Sequence, residues 1–448
     1  MFTFDEEMTD LLMGYCRWRL QIDPVPLDSS ADRAHLAEVL EGVIKPGAGD
    51  AKALIDLFDH QIASAVVSVD SPRFLAFIPA APTKASLLFD MVVSASSMQG
   101  TSWLEAAGAV AAENQVLELL ADFAGLPKGA GGCFVSGGSL GNLSALVAAR
   151  DVGIEQRGLG EARVRFAVSE EAHASVGRAL SIIGAGALIV PTHDHRLTGK
   201  GLADALAADE KPETVVGVVA TAGTTNAGII DDLRGIGEVA KKNKLWFHVD
   251  AAYGGAGLLS SNLRPSYDGM ELADSFIVDP HKWLFAPFDC CALIYRNPEL
   301  ARKVHTQHAA YLDITHEAAL AEWNPADYAM HLTRRARGLA LWFSLAVNGT
   351  DAYGKAVDAG IAIAQKTAEM IDEAQHLELL RPPGLSIVLF RRPGWQAEDY
   401  SAWSRKLLND QIALVTPTIW EGETVARLAF LHPGTSPEIV AEILNSMR

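Results

Sequence analysis

Cysteine is scarce in this chain: four in 448 residues, at Cys16, Cys133, Cys290 and Cys291. Their spacing fits no metal site, so no metal is expected. Cys290 and Cys291 are neighbours in a stretch that reads as a strand, where successive side chains point to opposite faces, and reduced thiols are the expectation. Basic residues are also short, 37 Lys and Arg against 55 Asp and Glu, for a net charge of −18. That balance argues against a nucleic-acid partner and gives no reason to expect an anionic membrane surface. No run approaches the ~18 apolar residues of a membrane span, and no basic start leads into an apolar signal core. A cytoplasmic location is therefore expected. Internal repeats and low-complexity tracts are missing too. The remaining composition, 49% hydrophobic and 21% charged, suits a chain long enough for two or more packed units.

What is present begins with Ser275-Phe-Ile-Val-Asp-Pro-His-Lys282-Trp-Leu-Phe, a lysine at the end of an apolar strand. Desolvating an ammonium is costly, and an apolar pocket would lower its pKa and free the amine to attack a carbonyl. A lysine snorkelling from a strand end is the alternative for Lys282 taken alone. Upstream lies His248-Val-Asp250-Ala-Ala-Tyr-Gly-Gly, an acid at the carboxyl end of a buried strand, followed by small residues that leave room for a flat ring. An acid that keeps a pyridine nitrogen protonated, with a lysine that reaches an aldehyde, is the minimum apparatus for pyridoxal 5'-phosphate (PLP).

A phosphate needs a cradle as well. Gly131-Gly-Cys-Phe-Val-Ser136-Gly-Gly-Ser139-Leu-Gly-Asn reads as strand, glycine-rich turn and helix. Free amides at a helix N-terminus, helped by the Ser136 and Ser139 hydroxyls, bind anions. The turn is neither a P-loop nor a G-x-G-x-x-G, since no Lys-Ser/Thr follows the glycines. By itself it also reads as a tight turn with an N-cap. His173 on its own reads as a solvated or core histidine, and Thr225 as a turn hydroxyl.

Along the chain, residues 1–78 carry three helical patterns (Glu6 to Leu20, Ala31 to Val43, Ala51 to Val66) whose apolar stripes need another surface. From 79 to 348, strands such as Val164 to Val168, Ala187 to Val190 and Thr214 to Ala220 alternate with helices. That alternation predicts an α/β domain with a mostly parallel sheet covered on both faces. Residues 349–448 read as a small α+β domain, with helices Asp351 to Ala374 and Ala402 to Asn409, strands Leu385 to Phe390 and Val425 to Leu431, and a closing helix.

The order Ser-Gly-Gly-Ser, Ala172-His173, Thr221-Ala-Gly-Thr-Thr225, His-Val-Asp-Ala-Ala and Asp-Pro-His-Lys-Trp resembles the group II PLP-dependent amino-acid decarboxylases. That family includes the aromatic amino-acid, histidine and glutamate decarboxylases. The resemblance runs from about Ser71-Pro-Arg-Phe to Arg427-Leu-Ala-Phe. It implies fold type I with a seven-stranded sheet, PLP as cofactor, an amino acid as substrate, and a homodimer in which residues 1–78 pack across the partner. It implies release of CO2 and formation of the amine through an external aldimine and a quinonoid. Lys282 would carry the cofactor and assist transimination or reprotonation, and Asp250 would pair with the pyridinium nitrogen. His173 would stack on the ring and orient the substrate carboxylate, since the bond that breaks must stand perpendicular to the ring. Ala252 would pack under the opposite face and Thr225 near the phenolic side. Ser136, Gly138, Ser139 and His281 would serve the phosphate.

Three departures from the family pattern bear on function. Val69 and Ile78 stand where members acting on aromatic substrates carry larger rings, leaving Phe77, with Trp103, as pocket aromatics. The family's mobile loop, with its proton-donating tyrosine, should span Asp313 to His331. An ungapped count puts Pro325 in the tyrosine's place, with Trp323 and Tyr328 nearby, so Tyr328 is the candidate acid. Without such an acid, decarboxylation with oxidative deamination to an aldehyde, or another lyase or transaminase reaction on the same fold, are the alternatives. Asp279 replaces an asparagine beside the phosphate, where a carboxylate would repel it.

Overall fold

The computed structural model describes residues 2–160, 162–309 and 323–448. They fall into two compact units: Ile78–Gln365 with Pro382–Val388, and Met1–Phe77 with Lys366–Arg381 and Leu389–Arg448.

The larger unit is built on a seven-stranded sheet. In chain order its strands are β1 (Gly131–Val135), β2 (Arg165–Ser169), β3 (Gly186–Val190), β4 (Val215–Thr221), β5 (Trp246–Asp250), β6 (Ser275–Val278) and β7 (Cys291–Tyr295). Their spatial order is β1-β7-β6-β5-β4-β2-β3. The pairs from β6 through β3 are parallel, and only β7 runs against its neighbours. Strands covered on both faces need apolar side chains throughout, and β1, β4, β5, β6 and β7 are buried along their whole length. At the edge, β3 alternates instead, with Ile189 exposed.

Helix Gly138–Arg157 lies on this sheet and buries Gly141, Ala145, Ala148, Ala149 and Val152 on its inner face. Small residues let it approach closely. A Cβ on Gly141 would come within 2.8 Å of Ile277 and 3.0 Å of Cys291 Sγ, contacts that force a shift. That approach pins the start of the helix over the carboxyl ends of β1 and β6. Glu113 and Arg334, both almost wholly buried, pair at 2.7 Å within the same unit. Glu113 also accepts from the Gly338 amide, so the acid meets two donors where an unpaired charge would be costly.

In the smaller unit, helices Glu6–Gln21, Arg33–Val39 and Ala51–Leu57 bury none of their residues. The second is shorter than its sequence pattern, and the third passes into a π turn at Phe58–Ile62. Asp5, Asp32 and Asp50 cap the three helices by accepting from first-turn amides. A second sheet holds β8 (Glu378–Leu379), β9 (Ile387–Arg391), β10 (Thr418–Trp420) and β11 (Glu423–Ala429) in the order β10-β11-β9-β8. The chain at 73–75 runs beside Leu414, bonded through Leu75 N to Leu414 O at 2.9 Å. All four cysteines are free, and Cys133, Cys290 and Cys291 are buried.

Candidate active site

The segments that follow β1, β2, β4, β5 and β6 line one pocket of about 410 Å³. Parallel strands present their carboxyl ends together, so five loops distant in sequence meet there. Ser136, Gly138, Ser139, His173, Thr225, Asp250, Ala252, His281 and Lys282 all line it.

Lys282 lies four residues beyond β6 in a turn closed by its amide on Asp279 O at 2.9 Å. Its Nζ is 3.0 Å from Asp279 Oδ2. Burial pulls the lysine's pKa down, but attraction to Asp279 and Asp250 outweighs it and leaves the ammonium above its ordinary value. The expected lowering by an apolar pocket is thus corrected, because the pocket brings two carboxylates to the amine. Trp283 does not face the pocket. It is fully buried and stacks on Tyr253, with ring centroids 5.2 Å apart.

Asp250 ends β5 and is 5% exposed. Its Oδ1 accepts from the Ala252 amide at 3.1 Å and its Oδ2 from Asn142 Nδ2 at 2.8 Å. Both contacts are N–H donors, and the carboxylate keeps further lone pairs for a ring nitrogen. His173 caps helix Ala174–Ile182, with Nδ1 taking the Ser175 amide at 3.2 Å and lying 2.8 Å from Ser175 Oγ. Its ring is exposed, as a face that stacks on a ligand must be. His281 is held through Nδ1, 2.5 Å from Cys290 O.

The anion cradle is the start of helix Gly138–Arg157, which no side chain caps. Its first amides are left for a ligand. Asp279 lies against the same turn, and a Cβ on Gly138 would come within 2.9 Å of its Oδ2. Asp279 is 2% exposed and its Oδ1 has no hydrogen-bond partner among the described residues. A buried acid at a helix N-terminus is favoured by the dipole but opposes a phosphate beside it. An uncapped helix N-terminus, the buried acid Asp250 and the Lys282 amine otherwise share one cavity with room for a flat ring over Ala252. The residues fit PLP.

Tyr328 is not brought to this pocket. It is 2% exposed, its ring stacks on Trp323 at 4.5 Å, and its carbonyl accepts from Tyr295. Burial pushes its phenol well above the ordinary value. Pro325 opens a short turn, Pro325–Asp327, in the same buried stretch. Residues 313–322 of the expected loop lie outside the described residues. Trp103 begins helix Trp103–Phe123, with its amide on Asn324 Oδ1 at 3.0 Å, and does not line the pocket. Phe77 belongs to the smaller unit, where its ring is 60% exposed and Arg427 donates to its carbonyl at 3.2 Å.

Asn142, Ser175 and Tyr253 line the pocket without having been singled out from sequence. A signal existed for Asn142: a polar residue on the largely apolar buried side of its helix. His248 gave one too, as a titratable ring in a fully buried strand.

A model of the pyridoxal-dependent decarboxylase conserved domain matches residues 36–392. The chain is 30% identical to an aromatic-L-amino-acid decarboxylase of Bacillus atrophaeus, over 99% of this chain and 95% of that one. It is 32% identical to an L-2,4-diaminobutyrate decarboxylase of Rhizobium meliloti (strain 1021), over 92% and 84%. In fold it matches the crystal structure of Oryza sativa TDC with PLP and tryptamine, at a TM-score of 0.89, 22% identity and 99% coverage of both chains. The chain belongs to the pyridoxal-dependent decarboxylase family, and it is a PLP-dependent amino-acid decarboxylase.

Proposed function

We propose that the reaction is α-decarboxylation of a free L-amino acid to CO2 and the amine, with Lys282, Asp250 and His173 closest to the chemistry. The observation that carries this reading is the meeting of Lys282, Asp250 and an uncapped helix N-terminus in one pocket. PLP, when bound, supplies the electron sink for the carbanion left by CO2. Asp250 would accept from the ring nitrogen and keep it protonated, Ser136, Gly138, Ser139 and His281 would hold the phosphate, and Thr225 and Ala252 would flank the ring. His173 orients the substrate carboxylate. Lys282 stores a proton at Nζ, kept there by Asp279, and can return it to the substrate carbon.

Two relatives act, by name, on substrates as different as an aromatic amino acid and 2,4-diaminobutyrate. The test is therefore a product assay over the twenty amino acids and 2,4-diaminobutyrate. Amine with CO2 is the expected result. Aldehyde with peroxide, or no turnover on any substrate, would overturn it. Borohydride trapping of the PLP-loaded protein should label Lys282, and label elsewhere would remove that lysine from its role.

We infer a homodimer as well. Helices Glu6–Gln21 and Ala51–Leu57 bury nothing and expose Met8, Leu12, Trp18 and Leu54, and covering such apolar side chains is the driving force for association. Light scattering should give twice the chain mass, and a monomer would contradict the inference. The free, reduced thiols support a cytoplasmic location; recovery of the native protein in a secreted fraction would argue against it.

A further inference from the structure

Behind Asp250 runs a line of buried polar groups that the catalytic assignments leave unused. Trp246, His248 and Asp250 alternate onto one face of β5, and Ser275 sits opposite His248 in register. Trp246 Nε1 donates to Ser275 Oγ at 2.8 Å, which lies 2.8 Å from His248 Nδ1. His248 Nε2 is 2.9 Å from Asn142 Oδ1. Asn142 Nδ2 then reaches both Asp250 Oδ2 at 2.8 Å and Ser175 Oγ at 3.0 Å, and Ser175 Oγ reaches His173 Nδ1. Asn142, His248 and Ser275 are each at most 1% exposed, so water does not substitute for the bonds among them, whereas Ser175 is half-buried and the His173 ring at the end of the line is exposed.

Donor and acceptor chemistry gives the line one direction. A carboxylate only accepts, so the group on Asp250 Oδ2 is the Asn142 amide NH2 and the carbonyl faces His248. His248 Nε2 must then carry hydrogen. Burial lowers the pKa of His248 to about 4, against a smaller opposing pull from Asp250, so the ring is neutral and Nδ1 is bare. The Ser275 hydroxyl donates to it while accepting from Trp246. On the other branch, the second Asn142 hydrogen goes to Ser175 Oγ, whose own hydrogen is left for His173 Nδ1. That nitrogen also takes the Ser175 amide, so Nδ1 acts as an acceptor and the ring hydrogen sits on Nε2.

We propose that Asn142 is a positioning residue that sets two groups at once. It donates to Asp250, so that the acid faces a ring nitrogen purely as an acceptor, and through Ser175 Oγ it adds a second donor to the His173 Nδ1 that the Ser175 amide already engages, strengthening the Nε2–H tautomer. The inference rests on the roles of Asp250 and His173 given above, and its test separates the two. Asn142→Leu leaves the His248 N–H unpaired and can fail to fold, so Asn142→Leu/His248→Leu, which removes both partners, is the main variant.

The first measurement is the 15N signal of ring-labelled PLP in the reconstituted holoenzyme. Wild type should give a protonated ring nitrogen. The double variant should shift toward the unprotonated signal and lose at least tenfold in kcat, with KM within threefold. An unprotonated ring nitrogen in wild type would overturn the role of Asp250 itself. A protonated signal in both proteins, with kcat within twofold, would leave that role standing and overturn the proposal for Asn142. The second measurement is the ring 15N pattern of His173 in the cofactor-free protein. One Nε2–H form is expected in wild type, and a larger share of the Nδ1–H form in Ser175→Ala, where only the backbone amide still engages Nδ1, with the PLP ring signal of the Ser175→Ala holoenzyme unchanged. A tautomer that stays fixed in both Ser175→Ala and the double variant would overturn the His173 branch.

Discussion

Lys282 is held between two opposing influences: burial that disfavours its charge, and the carboxylates of Asp279 and Asp250, which restore and exceed it. Because the folded pKa is raised, the amine is protonated at neutral pH and must shed a proton before it bonds to an aldehyde. Asp279→Asn removes the carboxylate 3.0 Å away. The pH midpoint for PLP capture by the cofactor-free protein, followed by absorbance, should move to lower pH, and capture at pH 7 should speed up. A midpoint that stays put would show that Asp279 does not hold this proton. Asp250→Ala should act differently, lowering kcat by a hundredfold or more while PLP still binds, because the phosphate contacts remain; equal activity would contradict its role. Both residues were legible in the chain, since an acid ending one apolar strand and a lysine beyond the next must meet in a parallel sheet. The protonation of Lys282 was not legible. It depends on where Asp279 turns its side chain, and that is set by packing against the helix at Gly138.

Helix Gly138–Arg157 joins fold to chemistry, because its first turn is the proposed anion cradle and its inner face carries Asn142 to Asp250. Gly141→Leu would place side-chain atoms where Ile277 and Cys291 already lie. Overpacking of this kind costs about 1–3 kcal/mol, which urea unfolding would detect. The lifted helix should also weaken PLP binding at the cradle. Unchanged PLP affinity in a destabilised variant would separate the cradle from the helix's seating. The parallel strands were readable because burial on both faces demands apolar runs. The stretch from 323 to 331 was not. The family resemblance put it in a mobile loop with a tyrosine to offer, yet Trp323 donates to Gly132 O at 3.0 Å and Tyr328 packs behind it. Aromatic rings that can bury area against a sheet gain more there than in solvent.

For the larger unit as a whole, acidification acts through buried histidines. His248 and His331 are both lowered to about 4, chiefly by burial. The folded state keeps them neutral while the unfolded chain takes up protons from about pH 6.5. Their stabilising contribution is therefore complete above that pH and is lost as pH falls toward 4. Asp231, pushed up to about 7 by burial, works the other way, since the folded state holds a proton there that the unfolded chain releases. Burial lowers His305 as well and raises Asp274, so three histidines stand against two acids between pH 7 and 4.5. The urea midpoint should fall over that range, and a rise would show that the acids dominate. The amino-acid sequence by itself determined the strand–helix alternation, the cofactor and the acid–lysine pair, because each is written in short runs whose meaning depends on near neighbours. Only the tertiary structure decided the proton on Lys282, the withdrawal of Tyr328 and the bonds of Asn142. Those depend on groups such as His248 and Asn142, 106 positions apart, whose donors and acceptors acquire a direction only when the sheet and helix close over them.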